Sequence, residues 1–463
     1  MTNSSDWIME EFATTNIGDT RLNERLNMVM KSFIEKPGES IFAISKQWSD
    51  AKGAYRFFSN SKVKMEKILK PHVESTIRRS QGKQIVLAPS DTTDVIYEWE
   101  REIKKLGPVV NQHSQGFMAH PTLAVSTDGT PLGILDLQIW TRKKQGDLKD
   151  RKLRSIKDKE SIKWIRSYRS LCAFESSNKN IHFVNICDRE GDIYELFFEH
   201  HKTNLEHKPD LLIRSSWDRR IVSENNEMIW ERVSSQEIFS TYTIIVPRRK
   251  DKPSRKAELE LRFCELTIRP PRNRDIKGAE NIKLYAIQTK EIDPPKEEDP
   301  VSWTLLTTMP VFNFDDAIEK IEWYLNRWMI ELLFKALKSC CNTEARQLRT
   351  AHRLKNAVAI DFIIAWRLLF ITFIGRECPE LPASLVFHED ELKVLHIKVN
   401  ENKPLPENQN LGKVILQIAK LGGFMGRNSD GFPGMMVILK GLYILNQLTS
   451  FWKILNQQAP TYG

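Results

Sequence analysis

Three carboxylates, Asp91, Asp188 and Glu331, stand out for where their surroundings put them. Asp91 follows the apolar run IVLAPS and precedes Thr92-Thr93, and Asp188 follows FVNIC and opens DREGD. Both read as residues just past the C-terminal end of a buried strand. In open α/β sheets that end of the strands is where ligands and chemistry gather, so two acids placed there can converge. Taken alone, each reads first as an Asp that starts a turn or caps a helix. Glu331 belongs to the stretch EWYLNRWMIELLFKALKS, in which Tyr324, Arg327, Glu331, Lys335 and Lys338 follow at spacings of 3, 4, 4 and 3. At about 100° per residue these five fall within an arc of ~80° on one helix. Apolar Trp328, Ile330, Leu333, Phe334 and Leu337 cover much of the rest, so the polar stripe is expected to face a cleft. A Glu331–Lys335 pair four apart is also what a solvated helix face carries. The combination points elsewhere: a hard divalent cation needs several oxygen ligands, three carboxylates supply them, and the flanking cations can hold phosphates, as a nuclease site requires. The six cysteines include no CxxC pair and the ten histidines form no ligand grid. Magnesium or manganese is therefore expected rather than zinc, and disulfides are not.

The elements that must position these residues can be read from periodicity. Strand patterns begin at Gln84 with QIVLAPSD and continue in HPTLAVSTDGTPLGILDLQIW, whose Asp128-Gly129 pair between apolar runs signals a hairpin. Further runs at NIHFVNICD and DLLIRSS, with helical stretches between, predict a mixed α/β centre. Residues 1–64 read as a small helical unit, with Leu22, Leu26, Val29 and Phe33 at helical spacing. Within it Arg21 and Arg25 share a face, and GAYRFFSN holds Tyr55 and Arg56. About 221–297 carries short β-type runs and predicts a β-rich insertion. Long helical patterns cover 315–340 and 352–374, and Glu377-Cys378-Pro379 marks a boundary before a second helical unit, 378–463. The expected organisation is thus 1–64, 65–377 and 378–463.

Length and composition narrow the classes. The chain has 463 residues, 41% hydrophobic and 28% charged, which excludes a disordered chain and a single small module. Sixty-nine Lys and Arg against 60 Asp and Glu leave a formal charge of +9, which favours nucleic acid over a membrane surface or an acidic protein. The runs RRKDKPSRK (248–256) and 142–160 are strongly basic and suit salt-dependent DNA affinity. No apolar run approaches the length of a bilayer span, and the polar start MTNSSDWIMEE lacks the regions of a signal peptide, so a cytoplasmic, bacterial setting is expected.

The Y-(2)-R-(3)-E-(6)-K spacing of Tyr324, Arg327, Glu331 and Lys338 resembles the signature of the IS-four family of bacterial transposases. DTT at Asp91, CDREGD at Asp188, GDTRLNERL and GAYRF near the start, PPKEEDPVSWTLLTT before the signature, and LGGFMGRNSDGFPG near the end fall in that family's order, so the resemblance covers nearly the full length. It implies a ribonuclease-H-like catalytic core with the inserted β-rich subdomain, flanked by an N-terminal DNA-binding and a C-terminal dimerisation domain, both helical. It implies Asp91, Asp188 and Glu331 as a DDE triad holding two Mg2+ ions, for which Mn2+ can substitute. It implies phosphate contacts from Tyr324, Arg327, Lys335, Lys338 and Arg214, a base stacked on Trp303, and end recognition by Arg21, Arg25 and Arg56. The implied activity is cut-and-paste transposition by a homodimer on paired double-stranded transposon ends: hydrolysis, hairpin formation, hairpin opening and strand transfer into target DNA. One departure is visible: where the family carries a PGWxxLWxG-like run, this chain has Met435-Met436-Val437-Ile438-Leu439-Lys440-Gly441. The residues themselves also leave open a catalytically silent DNA-binding relative or inhibitor, and a simple metal-dependent endonuclease.

Overall fold

In the computed structural model, residues 4–97, 103–109, 114–142, 155–246, 254–272, 276–296, 300–400, 404, 406, 408–427 and 429–457 are described. Most of the two basic runs, 143–154 and 247–253, lies outside them. Apolar spacing near 3.6 builds the first helices, α1 (Ser4–Glu11), α2 (Thr20–Glu35), α3 (Ile41–Ile44) and α4 (Trp48–Ser59). Asp19 caps α2 by accepting from the Arg21 amide at 3.0 Å. That helix buries Leu26, Val29, Met30 and Phe33, each worth roughly 1.5–3 kcal/mol when withdrawn from water. Phe33 meets Phe58 of α4 at 5.8 Å between ring centroids. α5 (Met65–Ser80) then leads onto the sheet.

The sheet carries β1 (Ile85–Ser90), β2 (Thr93–Tyr97), β3 (Gly107–Pro108), β4 (Gln115–Ser126), β5 (Pro131–Trp140), β6 (His182–Cys187), β7 (Asp210–Arg214), β8 (Ser240–Val246), β9 (Arg255–Ile268), β10 (Ile282–Glu291) and β11 (Ser302–Thr307). Between them come α6 (Ile162–Ser177), α7 (Tyr194–Lys202) and α8 (Ile229–Ser234). Across the sheet the order is β5-β4-β1-β6-β7-β11-β10-β9-β8, with β2 lying beside β4 beyond the end of β1 and β3 pairing with β4. β1, β6 and β7 are mutually parallel, and β4, β5, β11, β10, β9 and β8 pair antiparallel. The parallel strands β1 and β6 are buried along nearly their whole length, which is why they read as unbroken apolar runs. The strands within 221–297 extend this same sheet beyond β11 rather than forming a separate layer.

The rest is helical: α9 (Phe314–Leu325), α10 (Trp328–Lys335), α11 (Ala351–Glu377), α12 (Glu389–Asn400), α13 (Leu411–Leu421) and α14 (Met435–Gln457). The pattern at 315–340 predicts one helix, and the structure breaks it twice. Asn326 and Arg327 form a turn tightened to i→i−3 bonds, and residues 336–340 widen into a π-turn in which the Cys341 amide donates to Ala336 O at 2.9 Å. α11 departs from the membrane expectation: by length and composition it could cross a bilayer, but 83% of its most apolar window is buried in the protein. The altered Met435–Gly441 run is the start of α14 and buries Met435 and Ile438. There α13 and α14 touch backbone to backbone, since a Cβ on Gly441 would lie 1.7 Å from Ile418 O.

A buried polar seam ties the first helix to the sheet. Glu11 on α1 is 3% exposed and takes two bonds from Arg79 of α5, at 2.6 and 3.0 Å, and one from His72 Nδ1 at 2.5 Å. The Ile134 amide of β5 donates to His72 Nε2 at 2.9 Å, so that nitrogen carries no proton and the ring is the neutral Nδ1–H tautomer. Arg79 Nε donates to Leu132 O at 2.6 Å, and its guanidinium stacks 4.3 Å over Trp366 of α11. α5 lies so close to β5 that a Cβ on Gly133 would fall 1.9 Å from Thr76 Oγ1.

Candidate active site

Register places the first two acids. Ser90 of β1 is the partner of Cys187 of β6, so Asp91 and Asp188 leave adjacent parallel strands side by side. The Thr92 amide donates to Asp91 Oδ1 at 2.7 Å, and Asp188 caps a short 3-10 turn by accepting from the Glu190 amide at 2.9 Å. Glu331 arrives from the other side, one turn into α10, and Arg327 connects it to the strands. Arg327 Nη2 donates to Glu331 Oε1 at 2.6 Å, and its Nη1 lies 3.4 Å from Asp91 Oδ2. The helix break at 326–327 puts this guanidinium at the turn between α9 and α10.

The electrostatics of the cluster are unbalanced. Burial and then the neighbouring Asp188 charge push the Asp91 carboxyl up to about 6. Asp188 is raised too, chiefly by burial. Behind them, the buried Lys163 of α6 reaches Glu190 at 2.9 Å, and His120 of β4 lies 2.9 Å from Thr92 Oγ1, its ring kept neutral by burial and by the Lys163 charge.

The remaining sequence-predicted residues divide. Tyr324 is 5% exposed and lies 6.3 Å from the Trp303 ring on β11 and 6.0 Å from the Arg327 guanidinium. Arg214 ends β7, donates to Ser302 O at 3.3 Å and has a buried Nε with no hydrogen-bond partner. These four, with Asp188 and Glu331, lie around Asp91's end of the sheet. The stripe itself is not one helix face: Tyr324 is on α9, Arg327 in the turn, Glu331 and Lys335 on α10 and Lys338 in the π-turn. Trp328, expected to help cover the helix, is instead 52% exposed. Lys335 points outward, while Lys338 is engaged with Asp94 at 2.7 Å and Glu344 at 3.8 Å. Sequence reasoning missed Asp94, Glu344, Lys163 and His120. Only Asp94, three residues beyond Asp91, carried a local signal.

Arg21, Arg25 and Arg56 lie in the N-terminal helices, away from the carboxylates. Arg21 is exposed, its side chain 3.6 Å from Asp19; Arg25 lies over Gly53 of α4; Arg56 is exposed. A hollow of about 350 Å3 runs along Trp48, Lys52, Tyr55, Arg56 and Arg353. It shares Tyr55 and Arg353 with a cavity of about 840 Å3 that adds Lys104, Arg349 and Glu344. Because Glu344 touches Lys338, the two hollows form a mostly cationic path from α4 to Lys338.

The cluster fits a hard divalent cation in kind: its donors are carboxylate oxygens, and the raised Asp91 carboxyl marks a deficit of positive charge. As the side chains stand, no group of three or more His, Cys, Asp or Glu among the described residues is gathered to hold a metal. The guanidinium of Arg327 occupies the approach between Asp91 and Glu331.

Comparison with known proteins gives three findings. Residues 4–63 match the family model of the transposase DNA-binding domain. Residues 363–451 match that of the transposase Tn5 dimerisation domain. Among solved structures the chain is similar to piggyBac transposase in a synaptic complex with hairpin DNA, at 10% identity and a TM-score of 0.35, over 86% of this chain. The chain spans 59% of the length of that structure.

Proposed function

We propose that this chain, a Tn5-like DNA transposase by its two terminal domains, moves DNA by a cut-and-paste reaction at the Asp91, Asp188 and Glu331 cluster. The observation that carries the reading is the Ser90–Cys187 register, which sets two strand-end acids side by side, with Glu331 tied to them through Arg327. The parallel strands β1 and β6 flanked by the β4–β5 hairpin support a ribonuclease-H-like core at 65–377, between a DNA-binding domain at 1–64 and a dimerisation domain at 378–463. Asp91, Asp188 and Glu331 would hold two Mg2+ ions, or Mn2+ in their place, which supply an activated water or 3′-hydroxyl and a stabilised leaving oxygen.

Everything else falls to the chain's own groups. Arg21, Arg25 and Arg56 contact the transposon end, and the cationic path through Arg353, Arg349 and Lys104 carries the duplex backbone toward the cluster. Arg327, Lys338, Lys335, Arg214 and the Tyr324 hydroxyl hold the phosphates beside the scissile bond. Trp303, half-buried at the rim, offers its indole face to a base displaced when the strand folds into a hairpin. The exposed Phe451, Ile454 and Leu455 of α14 supply apolar surface for a homodimer on paired ends.

The test is cleavage of a labelled duplex carrying the inverted repeat that flanks the coding sequence, with Mg2+ present. The full chain is expected to nick it and then form a hairpin, and Asp188→Asn to bind the duplex without cutting it. Undiminished cutting by Asp188→Asn removes that residue from the site. Tight end binding by the natural chain with no cutting favours the silent DNA-binding relative.

A further inference from the structure

We propose that Arg327 is an exchange switch: it closes the DNA-free site to divalent cations and releases its carboxylates only when a DNA phosphate takes their place. Metal and DNA then bind as one linked event. The inference rests on the reading of Asp91, Asp188 and Glu331 as the metal ligands.

The geometry sets up the exchange. A guanidinium is a planar fork of donors that carries a single permanent charge, so the charge it spends on two carboxylates is not there to balance a phosphate. Here the fork is spent on the carboxylates, at 2.6 Å to Glu331 and 3.4 Å to Asp91. One cation therefore already sits where two of the three acids would present a metal with oxygen. Lys338 is in the same condition, held by Asp94 at 2.7 Å and by Glu344 at 3.8 Å. Two of the four cations assigned to the phosphates are thus held by acids.

Breaking the Arg327 bridge alone is costly, because the arginine and Asp91 side chains are only 17% and 19% exposed and each would be left as a poorly solvated charge. Exchanging both partners together leaves no charge uncompensated: the phosphate takes the guanidinium and the cation takes the carboxylates. Arg327 can make the swing because it stands in the tight turn between α9 and α10 rather than within a helix. Linkage then demands reciprocity, so the factor by which the duplex raises metal affinity equals the factor by which metal raises duplex affinity.

The experiment measures Mn2+ bound to the full chain by the electron paramagnetic resonance signal of the free ion, with and without a blunt duplex carrying the flanking inverted repeat. In the natural chain the duplex is expected to tighten Mn2+ binding between about 5- and 150-fold, the usual range of such coupling, and Mn2+ to tighten duplex binding by the same factor. Arg327→Gln is expected to gain that tightening without DNA and to respond little when DNA is added. Arg327→Lys, with one ammonium that cannot span both acids, should fall between. Adding Asp91→Asn to Arg327→Gln should abolish the gain. Mn2+ binding that never depends on Asp91 or Glu331 overturns the triad reading itself. Binding that depends on Asp91 but responds neither to Arg327→Gln nor to the duplex overturns the exchange alone. Should Arg327→Gln fail to fold on thermal melting, Arg327→Lys decides: Mn2+ binding tighter than the natural chain's in the absence of duplex upholds the exchange, and unchanged binding overturns it.

Discussion

Glu11 and Asp91 are both acids withdrawn from water, and their surroundings drive them in opposite directions. Burial by itself would raise the Glu11 carboxyl, but the His72 bond and the two bonds from Arg79 hold it down at about 2. Asp91, with one backbone bond, a guanidinium 3.4 Å away that it shares with Glu331, and the Asp188 charge beside it, rises to about 6. The difference separates two uses of a buried charge. In the seam each lone pair of Glu11 that matters has a donor, and the result is a joint. In the cluster, positive charge is in short supply, and the result is a site that gains by binding something.

The largest expected effect contrasts activity with stability. Asp91→Asn, Asp188→Asn and Glu331→Gln should each lower end cleavage by at least about a hundredfold, since a metal ligand acts on a transition-state term of several kcal/mol. Asp91→Asn should nonetheless unfold at the same or higher urea concentration than the natural chain, because it removes a charge that the fold disfavours. A clear loss of folding stability in that variant would place Asp91 with Glu11 and end the contrast.

Next in size, Glu11→Ala should lower unfolding stability by about 3–5 kcal/mol, the usual result of stripping one partner from a buried ion pair. Urea titration followed by circular dichroism measures it. A loss under about 1 kcal/mol would show the seam to be no joint at all.

Trp303→Ala probes whether the cluster's readiness extends to its aromatic rim. Loss of a stacking surface costs roughly 1–3 kcal/mol, so hairpin formation should slow about 5- to 150-fold while the first nick keeps its rate. Equal slowing of both stages in a variant with unchanged melting would assign Trp303 to packing against Tyr324.

The smallest effect is in acid. His72 is neutral in the fold, its pKa lowered by burial, so the stability it contributes is complete above its ordinary value of 6.5 and is lost as pH falls below it. Glu11 follows, losing its contribution as pH drops from about 4.5 toward 2. Asp91 works the other way: its raised pKa means stability is gained as pH falls through about 6 toward 4. Hydrogen exchange at pH 5 should therefore show α1, α5 and β5 opening more readily than at pH 7, with β1 and β6 unaffected or better protected.

What the sequence made legible was local. The strand ends at Asp91 and Asp188 could be read because buried parallel strands leave unbroken apolar runs, and the Tyr324–Lys338 spacing because helices repeat. The two breaks in that helix could not, since the turn at Asn326-Arg327 and the π-turn at 336–340 lie inside a stretch of good helix formers with no Gly or Pro to announce them. The engagement of Lys338 by Glu344 and Asp94 depends on residues as far as 244 positions apart, and the Glu11–His72 bond spans 61. Periodicity says nothing about such pairs. The strands within 221–297 were visible as strands, but their joining the main sheet is a matter of partners and not of pattern.

The seam has a consequence for how a DNA end is measured. Because α1 and α5 are hydrogen-bonded to each other and to β5 and stack on α11, the N-terminal helices proposed to hold the duplex are tied to the sheet that carries the acids, and the distance between them is set in the protein. A duplex advances about 3.4 Å and turns roughly a tenth of a revolution per base pair. The chain should therefore act as a ruler with a rotational phase: adding one base pair between the recognised sequence and the cut would present the wrong face of the backbone to the acids while leaving recognition intact.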